Sequence, residues 1–336
     1  MQSTAHLTGS LTLQQDFFPE LTTFDTLTVS DHNMKPAVIP PYLREGDRIE
    51  IITPASHIDE GVVHSAVRML EESGFRVTLA EHVFTRVGPF AGTDNERLSD
   101  IQRATDDPDV KAVLCSRGGY GMSRIVDRID FSALKKHPKW YVGYSDITSL
   151  HTWLNSVCGV ASLHAEMPLN YTNPEYLPVC YETMVRALRG EAEPVRWSPS
   201  AEASLEVSGP VTGGNISLIY SLNGTPAQPD TDGAILFLEE IGEHFYHLDR
   251  MLVSMRMAGL LKNLSALVVG GMEKITEGEH VFNQSVEEVV MNVVGGYGYP
   301  VLFNFPAGHI PDNRAIYLGR NARLSQSGGE AVLSWL

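Results

Sequence analysis

Positive charge is scarce in this sequence: 25 Lys and Arg stand against 41 Asp and Glu, a formal net charge of −16 over 336 residues. A nucleic-acid or anionic-membrane surface needs clustered Lys and Arg, so this balance argues against both partners while leaving room for one cationic pocket. Cysteine is scarcer still. Cys115, Cys158 and Cys180 are odd in number and have no CxxC spacing, which argues against a disulfide framework or a zinc site and for a reducing compartment. No apolar stretch approaches the length of a membrane span. The first 33 residues contain no Lys or Arg, so the basic start of a secretory signal is missing, and cytoplasmic residence is the expectation. No histidine pair has H-E-x-x-H spacing, and the chain shows neither a G-x-G-x-x-G fingerprint nor a P-loop ending in GK[ST], so no metal or cofactor is called for.

What is present is the composition of a globular protein, 43% hydrophobic and 20% charged, in a chain long enough for two domains. From residue 48 short apolar strands alternate with amphipathic helices. Strands are predicted over 49–53, 75–79, 110–115 and 140–143, with helices over 61–73 and 95–105; Gly74 stops the first helix. That alternation implies parallel βαβ units, whose ligands gather at the carboxyl ends of the strands. The composition then changes. Residues 190–209 read as irregular and Pro/Ser-rich, so a junction is placed there. The expected layout is an extension over 1–33, an α/β domain over 34–190, a linker over 191–209 and a second domain over 210–336. The second domain has predicted strands at 234–239, 266–270 and 301–303 and helices near 215–222, 243–258 and 284–294.

The chemistry is concentrated at a few turns. Gly143-Tyr144-Ser145-Asp146 closes an apolar run and opens a helix-like stretch over 146–158, a sharp turn that holds a serine hydroxyl out of the sheet with the positive end of a helix behind it. A serine needs an adjacent base to act as a nucleophile. His309, in Phe305-Pro306-Ala307-Gly308-His309, sits on a Pro/Gly turn that Asp312-Asn313 can order; His164 is the competing histidine and is expected to wall the pocket. Glu239 and Glu240 end an apolar strand, and because side chains alternate across a strand only one of them can reach the site. The turn Arg117-Gly118-Gly119-Tyr120-Gly121 has exposed backbone N–H groups. It reads equally as a structural turn, a phosphate cradle or an oxyanion hole in which Gly118 or Gly119 acts with Asp146. Arg117, Tyr120 and Asn215 are candidate substrate contacts by position. Cys115, inside an apolar run, reads as a buried structural thiol.

Taken in order, Ile52-Thr53-Pro54-Ala55, Ser116 to Gly121, Gly143 to Thr148, Gly213-Gly214-Asn215, Phe237 to Glu243 and Gly308 to Asn313 resemble the LD-carboxypeptidase family of serine peptidases, over about 40–324. The resemblance implies an α/β fold: a flavodoxin-like, parallel-sheet N-terminal domain and a C-terminal α/β domain with a β-barrel-like part. It implies Ser145 as nucleophile, His309 as base and Glu239 as acid in a triad across the domain interface. A small peptide, the muropeptide tetrapeptide of peptidoglycan recycling, is the implied substrate, and homodimerisation is suggested by the same similarity. Two departures stand out. Family members commonly read H-G-P-M where this chain has His164-Ala165-Glu166-Met167, which puts an extra carboxylate near the pocket or in solvent. The short stretch over 222–234 favours the murein branch over the microcin-immunity branch, whose nucleotide-bearing substrates are the first alternative. A non-catalytic two-lobed binder of an anion or peptide is the second.

Overall fold

A computed structural model describes residues 37–201, 203–279 and 281–336; the expected extension over 1–33 lies outside the described residues. The N-terminal sheet is built from β1 (Arg48–Ile52), β2 (Arg76–Leu79), β3 (Val110–Cys115), β4 (Trp140–Gly143) and β5 (Ser162–His164). The helices α1 (Glu60–Glu72), α2 (Asp94–Asp106), α3 (Thr148–Trp153) and α4 (Pro178–Leu188) accompany it. The apolar stretches Ile51-Ile52 of β1, Ala112 to Cys115 of β3 and Trp140 to Val142 of β4 are what a sheet covered on both faces requires. Ile51, Ile52, Val113, Trp140 and Tyr141 are accordingly fully buried in one cluster. Helix α2 starts at a capping box, in which the Thr93 hydroxyl accepts the Glu96 N–H and Glu96 answers the Thr93 N–H.

The strand order is β2-β1-β3-β4-β5, all parallel, the flavodoxin-like order. A sixth strand joins antiparallel to β5. It is β11 (Ile316–Leu318), from near the end of the chain, and its Tyr317 packs into the N-terminal core. The polypeptide therefore does not divide between its two sheets at one point.

The second sheet has the order β10-β9-β8-β7-β12-β13-β6. Its members are β6 (Val195–Trp197), β7 (Leu205–Asn215), β8 (Ile235–Ile241), β9 (Ala266–Glu273), β10 (Val301–Leu302), β12 (Asn321–Ser327) and β13 (Glu330–Trp335). Strands β7 to β10 are parallel and covered on one face by α5 (Ile216–Ser221), α6 (Phe245–Met257) and α7 (Val286–Val294). The other three are antiparallel. On β6, Trp197 donates its indole N–H to the Phe303 carbonyl beyond β10 (3.1 Å), curling the sheet's two ends around Phe237, Phe305 and Leu324. This curl is the barrel-like part.

The segment over 191–209 is not an irregular linker. It holds β6 and the first half of β7, whose Leu205 to Ser208 alternate between half-buried and exposed. Such a pattern carries little apolar signal, and a three-residue strand carries less. The stretch after Ser145 also differs from a single helix: a 3-10 turn (Ser145–Ile147) leads into α3 and then a π turn (Leu154–Cys158) ended by Gly159. All three cysteines are free. Cys115 is fully enclosed, and burial pushes its thiol well up. Among the described residues no helix is long and apolar enough to cross a membrane.

Candidate active site

Ser145 is separated from β4 by Tyr144 alone and has φ +65°, a left-handed conformation that costs a non-glycine residue about 1–3 kcal/mol. The strain turns the side chain out of the sheet, and the residue is half-buried. Asp146, next in the chain, anchors the turn from below: its carboxylate accepts the Met122 N–H at 2.8 Å. Burial pushes its carboxyl up to about 6 against the pull of that N–H and of Arg97.

The Gly-rich turn after β3 runs beside the hydroxyl. A β-carbon on Gly118 would lie 2.9 Å from Ser145 Cβ, 3.2 Å from its Oγ and 3.2 Å from the Asp146 nitrogen. Only glycine allows that approach. The turn is pinned on its far side, where Ser56 N–H donates to the Gly118 carbonyl (3.1 Å) and Ser56 Oγ accepts the Tyr120 N–H (3.3 Å). A loop whose N–H groups converge beside a nucleophile can stabilise an oxyanion.

From the second sheet come the other two groups. His309 Nε2 is 3.0 Å from Ser145 Oγ, and its Nδ1 is 2.7 Å from Glu239 Oε2. Glu239, near the end of β8, is fully buried; Oε2 also accepts the His309 backbone N–H at 3.3 Å. Gly308 makes this closeness possible, since a β-carbon there would sit 2.7 Å from Glu239 Cβ. The Asn313 side chain fixes the loop by accepting the Gly308 N–H (2.8 Å), while Asp312 pairs with Arg314 at 2.9 Å. The ring of Tyr144 packs on the imidazole with centroids 4.9 Å apart. Burial pulls the His309 imidazole down, but the hydrogen-bonded Glu239 carboxylate, with Glu240 and Glu166 behind it, more than offsets this and leaves it raised. So placed, an imidazole can take a hydroxyl proton and hold it against a buried carboxylate.

Glu240 faces the other way. It accepts from Asn215 Nδ2 (3.0 Å) and from the N–H and hydroxyl of Ser217 (both 2.8 Å). Asn215, expected to meet substrate, is 3% exposed; its Oδ1 caps α5 at Leu218 N–H and its amide serves Glu240. His164, expected to wall a pocket, is fully enclosed, edge-on to Phe237 (5.1 Å) and beside Tyr144 (5.7 Å). Burial drives its imidazole down to about 3. Arg117 donates to the His57 carbonyl (2.8 Å), and Tyr120 is 52% exposed against Phe90. Glu166 does not face solvent: it is 1% exposed and sits behind Tyr144 in a hydrogen-bonded cluster. Sequence reasoning assigned no role at the site to Ser56 or Tyr144, whose contacts there span chain separations that no local pattern records.

The chain matches the model of the LD-carboxypeptidase N-terminal domain over residues 49–165 and that of the LD-carboxypeptidase C-terminal domain over 208–324. It is similar to the probable murein peptide carboxypeptidase of Bacillus subtilis, 35% identical over 298 residues that cover 88% of this chain and 93% of that protein. The murein tetrapeptide carboxypeptidase of Pseudomonas aeruginosa is 29% identical over 292 residues, 82% of this chain and 92% of its own. Among solved structures, the muramoyltetrapeptide carboxypeptidase from Oxalobacter formigenes superposes with a TM-score of 0.79 at 29% identity, covering 86% of this chain and 98% of that one. This chain therefore belongs to the LD-carboxypeptidase family and is a serine-type carboxypeptidase, a hydrolase.

Proposed function

We propose that the protein removes the terminal D-alanine from a murein tetrapeptide by cutting the bond after the L-configured centre of its diamino acid. Ser145, His309 and Glu239 act as the triad. The observation that carries this reading is the continuous chain from Ser145 Oγ through both imidazole nitrogens to a buried carboxylate, 3.0 Å and 2.7 Å.

In the first half-reaction Ser145 Oγ attacks the scissile carbonyl while His309 Nε2 takes its proton. The Nδ1–H stays with Glu239, whose charge stabilises the imidazolium. The tetrahedral oxyanion lies against the N–H of Gly118 or Gly119 and that of Asp146. Collapse breaks the C–N bond, and His309 returns the proton to the departing D-alanine amine. Water then attacks the acyl-enzyme by the same proton path and frees the shortened peptide and Ser145. Arg117 and Tyr120, at the rim of the Gly-rich turn, contact the substrate's polar groups. The relatives named for murein peptides support this substrate class. The enzyme works in the cytoplasm on recycled muropeptides and as a homodimer, which light scattering checks.

Mass spectrometry of products from a defined murein tetrapeptide tests the reading. Release of D-alanine by the wild type, lost in Ser145→Ala, is the expected result. Cleavage by Ser145→Ala at the wild-type rate rejects the triad, and preference for an aminoacyl-sulfamate nucleoside over the tetrapeptide rejects the murein substrate.

A further inference from the structure

Glu166 has no evident reason to be where it is. It follows β5, is 1% exposed, and forms no ion pair with Lys or Arg among the described residues. A buried carboxylate without a cation is costly and an apolar residue would ordinarily be favoured there. Its partners are all neutral donors. Oε1 accepts from Asn170 Nδ2 (2.9 Å) and the Met167 N–H (3.1 Å), and Oε2 accepts from Asn313 Nδ2 (3.2 Å).

Two routes out of this cluster end at His309. Through Asn313, the second link is the Asn313 Oδ1 bond to the Gly308 N–H (2.8 Å), immediately before the imidazole. Through Asn170, the second link is the bond from Asn170 Nδ2 to the Tyr144 hydroxyl (2.8 Å), and the Tyr144 ring packs on His309. We propose that Glu166 is a positioning residue for His309: as a carboxylate it orients the Asn313 amide so that its carbonyl oxygen tethers the loop presenting the imidazole to Ser145. The inference rests on the triad reading above and concerns how its base is held.

The orientation follows from donor and acceptor counting. Asn313 can give its NH₂ to Glu166 and its oxygen to Gly308 only while Glu166 Oε2 is an acceptor. A proton on that oxygen sets donor against donor. Asn313 must then turn its oxygen toward Glu166, and the Gly308 N–H loses its partner. Burial pushes the Glu166 carboxyl up to about 7, against the hydrogen bonds of Asn170, Met167 and Asn313 and the field of His309, so this proton exchanges near neutrality. The titratable groups facing it are His309, Tyr144, Tyr171, Tyr176 and Cys180. Glu182 lies across an adjoining cavity of about 260 Å³. His309 supplies the opposite charge nearest this cluster, and its raised imidazole and Glu166 favour each other's charged forms.

Glu166→Gln imitates the protonated acid, because its amide also presents a donor to Asn313. The test is the rate at which a fluorophosphonate labels Ser145 between pH 5.5 and 9, with thermal melting as a control for folding. The expected result is a loss of roughly tenfold at pH 8 in Glu166→Gln and in Asn313→Ala, the size of a small misplacement of a catalytic group. The rising limb of the profile should also fall from two protons to one in Glu166→Gln. Adding Asn313→Asp to Glu166→Gln supplies a carboxylate that accepts both from the introduced side-chain amide and from the Gly308 N–H. The double variant should restore labelling to within about threefold of wild type. Wild-type labelling and an unchanged profile in Glu166→Gln overturn the proposal, as does a loss that Asn313→Asp does not recover. A wild-type protein that takes no probe at Ser145 overturns the triad reading and this one with it.

Discussion

Two imidazoles pack on Tyr144, and they have opposite fates. His309 lies 4.9 Å from that ring and His164 5.7 Å, both withdrawn from water, yet the His309 imidazole is raised and that of His164 is driven down to about 3. Burial acts downward on both. The difference is the partner: His309 has a buried carboxylate at 2.7 Å on Nδ1, whereas neither ring nitrogen of His164 makes a normal hydrogen bond and Asn313 offsets its burial only in part. Desolvation without a countercharge makes an inert neutral ring, and with one it makes a base poised to be protonated.

The largest effect that would break this contrast is at the hydroxyl. Ser145→Ala should lower kcat on a murein tetrapeptide on the order of 10⁴- to 10⁶-fold with the fold intact, leaving only what the proposed oxyanion donors provide. Next, Glu239→Gln should cost about 10³- to 10⁴-fold in kcat by removing the countercharge and disturbing the tautomer, and should drop the His309 pKa when followed by imidazole NMR. A His309 that titrates in Glu239→Gln as it does in the wild type would show that Glu239 is not what distinguishes the two rings.

pH separates the two rings as well. As the proposed base His309 must be neutral to take a proton, so kcat/KM should climb as pH rises through a value above 6.5. The stability linkage has opposite signs. With its folded pKa raised, His309 contributes stability that is complete below pH 6.5 and lost as pH rises through the folded value. With its pKa lowered from 6.5 to about 3, His164 contributes stability that is complete above pH 6.5 and lost as acid approaches 3. Urea titrations of His164→Leu against wild type at pH 5 and 8 read this directly: the mutant should gain relative stability at the lower pH. The smallest effects are structural. Glu240→Ala should cost about 1–3 kcal/mol in denaturant unfolding by stripping the acceptor from Asn215 and Ser217, with activity falling less than in Glu239→Gln. At pH 8, His164→Leu should stay within about 1.5 kcal/mol of wild type.

The legible parts of the fold were those with strong local signals. Strands β3 and β4 could be read to the residue because a sheet covered on both faces demands strongly apolar strands, broken here only by the exposed Lys111 of β3. Strands β12 and β13 went unread because one face is wet, so their side chains alternate, and β5, β6 and β11 are three residues each. At the site, the turn around Ser145 and the Pro/Gly setting of His309 were visible as places where the backbone must bend. The alternation of Glu239 and Glu240 was visible too, but not which of them would meet the imidazole on residues alone. The cluster of Glu166, Asn170 and Asn313 was out of reach: Glu166 and Asn313 are 147 positions apart, and a lone glutamate after a short strand looks the same whether it faces water or the core.

By itself the sequence determined the alternation of strands and helices that makes parallel βαβ units, the sharp turn at Ser145, the Gly-rich turn over residues 117–121 and the kinds of side chain available for chemistry, because each depends on periodicity or on backbone freedom within a few residues. Tertiary structure decided which histidine received a carboxylate, which glutamate was left for Asn215 and Ser217, and that a strand from residues 316–318 would complete the first sheet. Those outcomes depend on distances and dielectric surroundings created only when remote segments pack, and no local pattern encodes them.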